Sequence, residues 1–409
     1  MKKLSITCTA ILIISFGFVY AQERPVKRMM APPSGVSKIV SPNGIATFPF
    51  ELISNHIVIP VEINGTIVKV VLDTGMPMDG VALHSSQTID KLNLPFVGKA
   101  PIMGGADGAT VMIDLALGIN FKLPGVEFTS QTVIVMPYDA SRNNIREGVN
   151  GVIGNSIFNY FVTSIDYDKM EITLTEPDKF NYVGKGENIP LEIAMHPMTS
   201  GEVEMENGKW VPVKLSIDTG YSGILSLDIG SADGIILPEK HIEAYGFGVQ
   251  KEFSYYVGRI KDFRIGSFHF ADVVSSFRDD KPRLSANEGV LGQGILKRFN
   301  VIFHYAHQSM ILEPNVSFNK PFEFNMAGFQ FTRIEEGLLK ITHVYPDSPA
   351  AEEGLKEGDL FETINGKPVG KMTRDETMKL LEQEGQEVTL GVKRKGASIT
   401  KRIVLRRLI

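Results

Sequence analysis

Cysteine is nearly absent from this chain of 409 residues, because Cys8 is the only one. A single cysteine excludes an internal disulfide, so the fold must be held together by its hydrophobic core. Hydrophobic residues make up 43% and charged residues 22% of the chain, which is typical of a globular protein. The net charge of −5 is small and gives no reason to expect a nucleic acid partner.

Long apolar runs are also scarce, and the most extended one lies near the N-terminus. Residues 1–21 combine Lys2-Lys3, an apolar run over 10–19 and the small residue Ala21, as a secretory signal peptide does. The run is too short to span a bilayer comfortably, although an N-terminal anchor stays open as the alternative. We therefore expect an exported protein, periplasmic or secreted, with no stable membrane span and no thiol chemistry after this segment is removed.

Two short motifs place a carboxylate where a core residue would be unfavourable. Asp73-Thr74-Gly75 follows the apolar stretch 67–72, and Asp218-Thr219-Gly220 follows the stretch 211–217. Burying one charged carboxylate is costly, and two that face each other must share a proton. The motifs therefore indicate a pair of carboxyl groups suited to acid–base chemistry.

An internal repeat surrounds these motifs. Each is preceded by an Asn-Gly hairpin signal, at Asn64 and Asn207. Each is followed by a similar segment, because Gly151–Phe158 aligns without a gap to Gly289–Leu296. The repeat covers about 140 residues per copy, and its short β-branched runs between Gly, Pro, Asn and Asp predict mainly β structure.

Changes in composition divide the chain into five predicted segments. They are a signal peptide (1–21), a linker or short pro-segment rich in basic residues, Pro and Ser (22–44), two β lobes (45–186 and 187–318) and a small α+β domain (319–409). In the last segment, Thr373-Arg-Asp-Glu376 has the pattern of a capping box that opens a helix.

The repeats resemble the retropepsin/pepsin-like aspartic protease family, specifically bacterial single-chain members with both lobes. The resemblance covers about 45–316 and rests on the two Asp-Thr-Gly motifs with Val152-Ile-Gly154 and Val290-Leu-Gly292. It implies two retropepsin-like β-barrel lobes that form a bilobal aspartic protease. It also implies that Asp73 and Asp218 activate a water molecule to hydrolyse an extended polypeptide, without a metal or cofactor. Which aspartate carries the proton stays open.

The same resemblance implies supporting roles for neighbouring residues. Gly75 and Gly220 would leave room for backbone N–H groups near the carboxylates, and Thr74 and Thr219 would hydrogen-bond across the lobe interface. A hairpin flap would close over the substrate in each lobe. The candidate flap glycines are Gly104, Gly105 and Gly108 in the first lobe and Gly246 and Gly248 in the second.

One departure from the family pattern follows each motif. The family places a small residue after Asp-Thr-Gly, but this chain has Met76-Pro77-Met78 after the first copy and Tyr221-Ser222-Gly223 after the second. Pro77 removes a backbone donor, and Met76 and Tyr221 are bulky for the position. A non-catalytic peptide-binding protein is therefore an alternative to a working endopeptidase.

Residues 325–409 resemble a PDZ domain of the bacterial periplasmic-protease type. The resemblance rests on Gly337-Leu-Leu339, Ser348-Pro-Ala350, Gly354–Asp359 and Ile364-Asn-Gly366. It implies that backbone N–H groups around Gly337, Leu338 and Leu339 bind a peptide carboxylate, and that the peptide adds a strand beside Leu338–Thr342. A structural cap, or a module that binds the protein's own segment, is the alternative.

Two further expectations concern assembly and metals. Both repeats retain Asp, Thr and Gly, which favours a monomer over a homodimer built from one working lobe. His304 and His307 are three residues apart, so on a strand they would face opposite sides and share no metal. We therefore predict no metal site there.

Overall fold

The computed structural model describes residues 35–84, 86–103, 110–137, 148–247, 252–279, 287–334 and 337–409. The predicted signal peptide and most of the predicted linker lie outside these ranges. Among the flap candidates, Gly104, Gly105, Gly108 and Gly248 also lie outside the described residues.

The first third of the described chain is built almost entirely of strands. In chain order the strands are β1 (Val36–Ile39), β2 (Ile45–Pro49), β3 (Glu51–Ile53), β4 (His56–Ile63), β5 (Thr66–Leu72), β6 (Val81–His84), β7 (Phe96–Met103), β8 (Thr110–Leu123), β9 (Val126–Met136), β10 (Gly151–Ile153), β11 (Val162–Asp166) and β12 (Glu171–Thr175). Two one-turn helices accompany them, α1 (Gln87–Asp90) and α2 (Asn155–Phe158).

The second third is also built mainly of strands. Its strands are β13 (Glu187–Pro190), β14 (Glu192–Ile193), β15 (Pro197–Glu204), β16 (Trp210–Ile217), β17 (Leu225–Asp228), β18 (His241–Phe247), β19 (Glu252–Ile265), β20 (Phe268–Arg278), β21 (Gly289–Leu291), β22 (Phe299–His304) and β23 (Ser309–Pro314). A one-turn helix, α3 (Gln293–Leu296), follows β21.

Each copy of the repeat closes into a six-stranded barrel. In the first barrel the strands pair in the ring β9-β6-β10-β5-β4-β8, and β8 pairs back to β9. In the second barrel the ring is β20-β17-β21-β16-β15-β19, and β19 pairs back to β20. The two rings have the same strand order and the same parallel pairs, so the sequence repeat is also a structural repeat.

A shared sheet joins the two barrels. Its order is β13-β23-β22-β11-β12-β2, so each copy contributes three strands. At its centre β11 and β22 run antiparallel, with Thr163 opposite Phe303 and Ile165 opposite Val301. The alternation of exposed and buried residues in β2 is typical of a strand with one face on the core. This sheet fixes the two barrels in one orientation.

The C-terminal part forms its own sheet and core. Its elements are β24 (Phe329–Arg333), β25 (Leu339–Val344), α4 (Pro349–Glu352), β26 (Leu360–Ile364), β27 (Lys367–Pro368), α5 (Arg374–Leu380), β28 (Glu387–Arg394) and β29 (Ala397–Val404), with the sheet order β24-β25-β26-β28-β29. Phe329, Phe361 and Leu390 are fully buried between the sheet and the helices. The predicted capping box is confirmed, since Thr373 and Glu376 exchange hydrogen bonds at the start of α5.

The described α-helices have between four and seven residues. In the part of the chain that the structure covers, none is therefore long and apolar enough to span a membrane.

The expectation that His304 and His307 face opposite sides is wrong. Strand β22 ends at His304, and the next three residues form a turn of 3-10 helix. The turn brings the two imidazole rings together, stacked with 3.9 Å between their centroids.

Candidate active site

The two Asp-Thr-Gly loops are positioned by the same strand in each barrel. Asp73 follows β5, and its backbone N–H donates to the carbonyl oxygen of Ile153 at 2.8 Å. Asp218 follows β16, and its N–H donates to the carbonyl oxygen of Leu291 at 3.0 Å. The short strands β10 and β21 pair with β5 and β16, and these hydrogen bonds continue the pairing past the end of β5 and β16. Both short strands belong to the aligned segments Gly151–Phe158 and Gly289–Leu296 of the repeat.

The glycines of the repeat explain why the loops fit so closely. A Cβ atom at Gly154 would lie 2.4 Å from the carbonyl oxygen of Asp73. A Cβ atom at Gly292 would lie 2.6 Å from the carbonyl oxygen of Gly223. Because real Cβ atoms do not approach other atoms so closely, only glycine allows these turns to pack beneath the two loops.

Each aspartate is held by the glycine of its own loop and faces the glycine of the other. The N–H groups of Gly75 and Gly220 donate to Oδ1 of Asp73 and Asp218, both at 2.7 Å. A Cβ atom at Gly75 would lie 2.9–3.0 Å from the carboxyl atoms of Asp218, and one at Gly220 would lie 2.4–2.5 Å from those of Asp73. The two carboxyl groups are therefore brought together at the junction of the barrels.

The two threonines form a reciprocal hydrogen-bonded clasp across this junction. The Thr74 hydroxyl donates to the carbonyl oxygen of Ile217 at 2.7 Å and accepts from the N–H of Thr219 at 3.0 Å. The Thr219 hydroxyl donates to the carbonyl oxygen of Leu72 at 2.7 Å and accepts from the N–H of Thr74 at 2.9 Å. Both threonines are completely buried, so the four bonds are shielded from water.

Buried polar groups around the second loop complete its support. Gln293 is fully buried, and its side-chain amide donates to the carbonyl oxygen of Thr219 at 3.0 Å. The Tyr167 hydroxyl donates to Oε1 of Gln293 at 2.6 Å. Since Tyr167 belongs to the first copy, this network adds a further polar link between the barrels.

The bulky residues after each motif pack away from the carboxylates. Met76 is 6% exposed and packs with Val111 and Ile113 of β8. The Tyr221 hydroxyl lies 2.7 Å from the Ser276 hydroxyl of β20, and burial raises its pKa. Met76 and Tyr221 therefore pack toward the barrel strands rather than between the two aspartates.

Two histidines that the sequence did not single out lie beside the paired loops. His56 is 2% exposed, and its Nε2 atom lies 3.1 Å from the carbonyl oxygen of Gly220. Burial lowers the pKa of His196, although the nearby charge of Asp73 acts in the opposite direction. His56 begins β4 and His196 lies between β14 and β15, where no local pattern marks a functional residue.

Two hairpins occupy equivalent positions in the barrels. They are β7–β8 in the first and β18–β19 in the second. Gly246 lies in β18, where it pairs with Phe253. Gly246 therefore lies within a regular strand pair and not at a turn.

The loop at Gly337, Leu338 and Leu339 differs from the predicted carboxylate-binding loop. It is the turn between β24 and β25, and the Gly337 N–H donates to the carbonyl oxygen of Ile334 at 2.9 Å. Strand β25 pairs with β24 on one side and with β26 on the other. A peptide cannot add beside Leu338–Thr342 because that strand lies inside the sheet. The two edge strands of this sheet are β24 and β29, and helix α5 lies beside β24.

A cavity of about 160 Å³ lies between β24 and α5. A cavity of this size accepts one benzene-sized apolar group. Its walls come from the edge strand, from the helix, from the segments just before β24 and just after β25, and from one residue of the second barrel. The lining residues are Tyr255, Phe324, Asn325, Phe329, Gln330, Phe331, Tyr345, Arg374 and Met378.

Comparison with known proteins identifies the C-terminal part. The family model of the PDZ domain matches residues 340–394, which run from β25 to the end of β28. The FERM and PDZ domain-containing protein 2 of Mus musculus is 35% identical over 72 residues, which are 15% of this chain and only 5% of the mouse protein. The predicted PDZ resemblance is confirmed over the matched segment, and residues 340–394 form a PDZ domain.

Proposed function

We propose that this chain is an exported aspartic endopeptidase that hydrolyses extended polypeptides and carries a PDZ domain for peptide binding. The observation that supports it most is the reciprocal packing of the two Asp-Thr-Gly loops. Each carboxyl group lies against the glycine of the opposite loop. Two carboxylates so placed cannot both ionise readily, and therefore share one proton.

The proposed reaction uses both protonation states of the pair. The ionised carboxylate takes a proton from a water molecule, whose oxygen attacks the carbonyl carbon of the scissile peptide bond. The protonated carboxyl group donates to the carbonyl oxygen, which gives a neutral tetrahedral diol. The carboxyl group that took the proton from water then protonates the leaving nitrogen, while the other carboxylate takes a proton from a diol hydroxyl. The C–N bond breaks, and an acid and an amine are released with the pair back in its starting state. Because Asp73 and Asp218 titrate as a unit, the shared proton belongs to the pair.

The hydrogen bonds of the loops suit this reaction. The Gly75 and Gly220 N–H groups fix one oxygen of each carboxylate, so the side chains do not rotate away from each other. The buried threonine clasp holds the loops in register. Such preorganised polar groups need no reorganisation when charge develops.

Both loops come from one chain, so the proposed enzyme acts as a monomer. Sedimentation of the active mature protein tests this statement. An activity that appears only in a dimer fraction would favour the homodimer alternative.

The direct test is a peptide library incubated with the mature chain from pH 3 to pH 7 and examined by mass spectrometry. Asp73→Asn and Asp218→Asn serve as matched controls because they keep the size of each side chain. We expect internal cuts with the natural chain and none with either variant. Peptide binding without cuts at any pH would instead support the non-catalytic peptide-binding protein.

A further inference from the structure

Part of the second barrel lies against the groove between β24 and α5. The edge strand β24 and helix α5 form the two walls of the groove, and Tyr255 of the β18–β19 hairpin lines the cavity between them. Burial raises the pKa of Tyr255, whereas the positive charge of Arg374 in α5 acts to lower that pKa. An aromatic side chain from the second barrel therefore lies where a peptide side chain would enter.

The edges of two sheets meet at the same place. Strand β18 is the edge of the second barrel's sheet, and β24 is the edge of the PDZ sheet. The Gln330 side chain of β24 accepts from the Tyr245 N–H at 2.9 Å and donates to the Tyr245 carbonyl oxygen at 2.7 Å. This pair of bonds uses the same backbone groups that a neighbouring strand would use.

A second set of contacts fastens the hairpin to β25. The Tyr245 and His343 rings stack with 3.9 Å between their centroids. The carboxylate of Glu252, at the start of β19, lies 2.5 Å from Nε2 of His343. The hairpin is thus held through both of its strands.

The groove is also not built for a chain terminus. A peptide antiparallel to β24 would bring its C-terminus to the N-terminal end of that strand, near Ala327 and Gly328. The N–H groups of these two residues already donate to Oδ1 of Asn325, at 2.9 and 3.2 Å. Asn325 is 5% exposed, and its Oδ1 atom accepts the two hydrogen bonds that a peptide carboxylate would otherwise accept.

The other wall of the groove contacts the first barrel. Asp375 of α5 accepts from the N–H of Ser54, and the neighbouring Asn55 side chain donates to the carbonyl oxygen of Ser222 at 2.5 Å. Ser222 directly follows Tyr221 in the loop of the second aspartate. The α5 wall of the groove is therefore connected to a residue that adjoins the paired loops.

We propose that the PDZ groove binds the chain's own β18–β19 hairpin through Tyr255, and that an internal, tyrosine-containing peptide segment competes with the hairpin and thereby releases it. The second half of this statement rests on the proposed function. An extended substrate must pass beneath the hairpin, and a hairpin held at its edge opens less readily. Release therefore raises the rate of peptide hydrolysis.

The binding test uses a synthetic peptide with the sequence of residues 252–258, amidated at its C-terminus and labelled at its N-terminus. In the full chain the hairpin reduces the apparent affinity, because only the fraction with an open groove binds. We expect Tyr255→Ala to bind the peptide at least tenfold more tightly than the natural chain. A peptide with Ala at the position of Tyr255 is the matched control and should bind neither protein.

Equal affinity of the natural chain and Tyr255→Ala for the tyrosine peptide would overturn the proposal, and so would no binding to either. Because Tyr255→Ala could disturb the barrel, Gln330→Ala provides a second variant on the PDZ side. Gln330→Ala should speed hydrogen exchange of the backbone amides of β18. The matched control is Gln383→Ala, which replaces a half-buried glutamine after α5 and should leave this exchange unchanged. Unchanged exchange in Gln330→Ala would also contradict the docking.

The rate test separates this inference from the proposed function. Saturating tyrosine peptide and the Gln330→Ala substitution should each raise kcat/KM several-fold on a quenched peptide library. If the enzyme is active but its kcat/KM is unchanged or lower under both treatments, release of the hairpin does not control the rate. The proposed peptidase activity would then still stand. A chain that cuts no peptide would overturn the proposed function, while the binding and exchange results would still decide whether the groove holds the hairpin.

Discussion

The threonine clasp provides the sharpest test of how the two barrels form one site. Replacing Thr74 with Val keeps the shape of the side chain but removes its hydroxyl. Two hydrogen bonds are lost, and the Thr219 N–H and the Ile217 carbonyl oxygen are left buried without that partner. At about 1 kcal/mol per lost bond as the lower limit and about 3 kcal/mol per stranded group as the upper limit, we expect a loss of about 2–6 kcal/mol in the free energy of unfolding.

The assay is urea unfolding followed by the fluorescence of Trp210, the single tryptophan of the chain. Trp210 begins β16, the strand that leads to Asp218, and Arg264 stacks over its ring at 3.7 Å. Its emission therefore reports on the second barrel, although the substitution is in the first. A lowered midpoint at Trp210 would show that the clasp carries stability between the barrels.

Thr163→Val is the matched control. Thr163 is also completely buried, but its hydroxyl makes one long contact of 3.5 Å with the carbonyl oxygen of Phe161. This substitution should cost less than about 1 kcal/mol, because a contact of that length is a weak hydrogen bond. If Thr74→Val and Thr163→Val destabilise the protein equally, the reasoning about the clasp is refuted.

Two further predictions concern the opposing glycine and the PDZ core. Gly220→Ala should lower the free energy of unfolding by about 1–3 kcal/mol and reduce the proposed peptidase rate at least tenfold, because the new Cβ would collide with the carboxyl group of Asp73. Asp359→Asn should lower PDZ stability by about 2 kcal/mol at pH 7, measured by hydrogen exchange of the PDZ strands. Burial alone would raise the pKa of Asp359, but hydrogen bonds from Arg394 and its charge lower it. The ionised form of Asp359 therefore stabilises the folded state above about pH 4. The difference in the free energy of unfolding between Asp359→Asn and the natural chain should shrink as the pH falls below that value.

Each of these predictions has a control within the chain. Gly98→Ala adds a Cβ with nothing within 4 Å, so it should leave stability within about 0.5 kcal/mol of the natural chain. Glu352→Gln breaks an exposed pair with Arg406, which should change the stability far less than Asp359→Asn does. Equal effects of Gly220→Ala and Gly98→Ala, or of Asp359→Asn and Glu352→Gln, would contradict the structural reasons given.

Local patterns predicted the parts of this protein that depend on neighbouring residues. The capping box at Thr373 and the recurrence of Gly154 at Gly292 can be read from the sequence because a turn or a cap involves few positions. The sheet between the barrels could not be predicted in this way. Its central pairing joins Ile165 to Val301, and no periodicity in either strand specifies the distant partner.

The PDZ groove shows the same limit more sharply. The sequence drew attention to Gly337, whose positive φ of 73° belongs to a hairpin turn. The edge strand beside the cavity is instead β24, and Tyr255, which lines that cavity, comes from another part of the chain. An ordinary tyrosine in a strand pattern carries no local sign of such a contact, so only the packing of the two sheets reveals it.

The clasp also has a consequence for the timing of activity during synthesis. Thr74 and Thr219 are separated by 145 positions, and the N–H of Asp218 is bound by Leu291, which is made later still. A growing chain that has completed only its first barrel has one carboxylate and no clasp. Because such long-range contacts form late, the proposed proteolytic site stays incomplete until most of the polypeptide has emerged and folded. The division of the site between two barrels would thus protect the cell that makes the protein from premature cleavage.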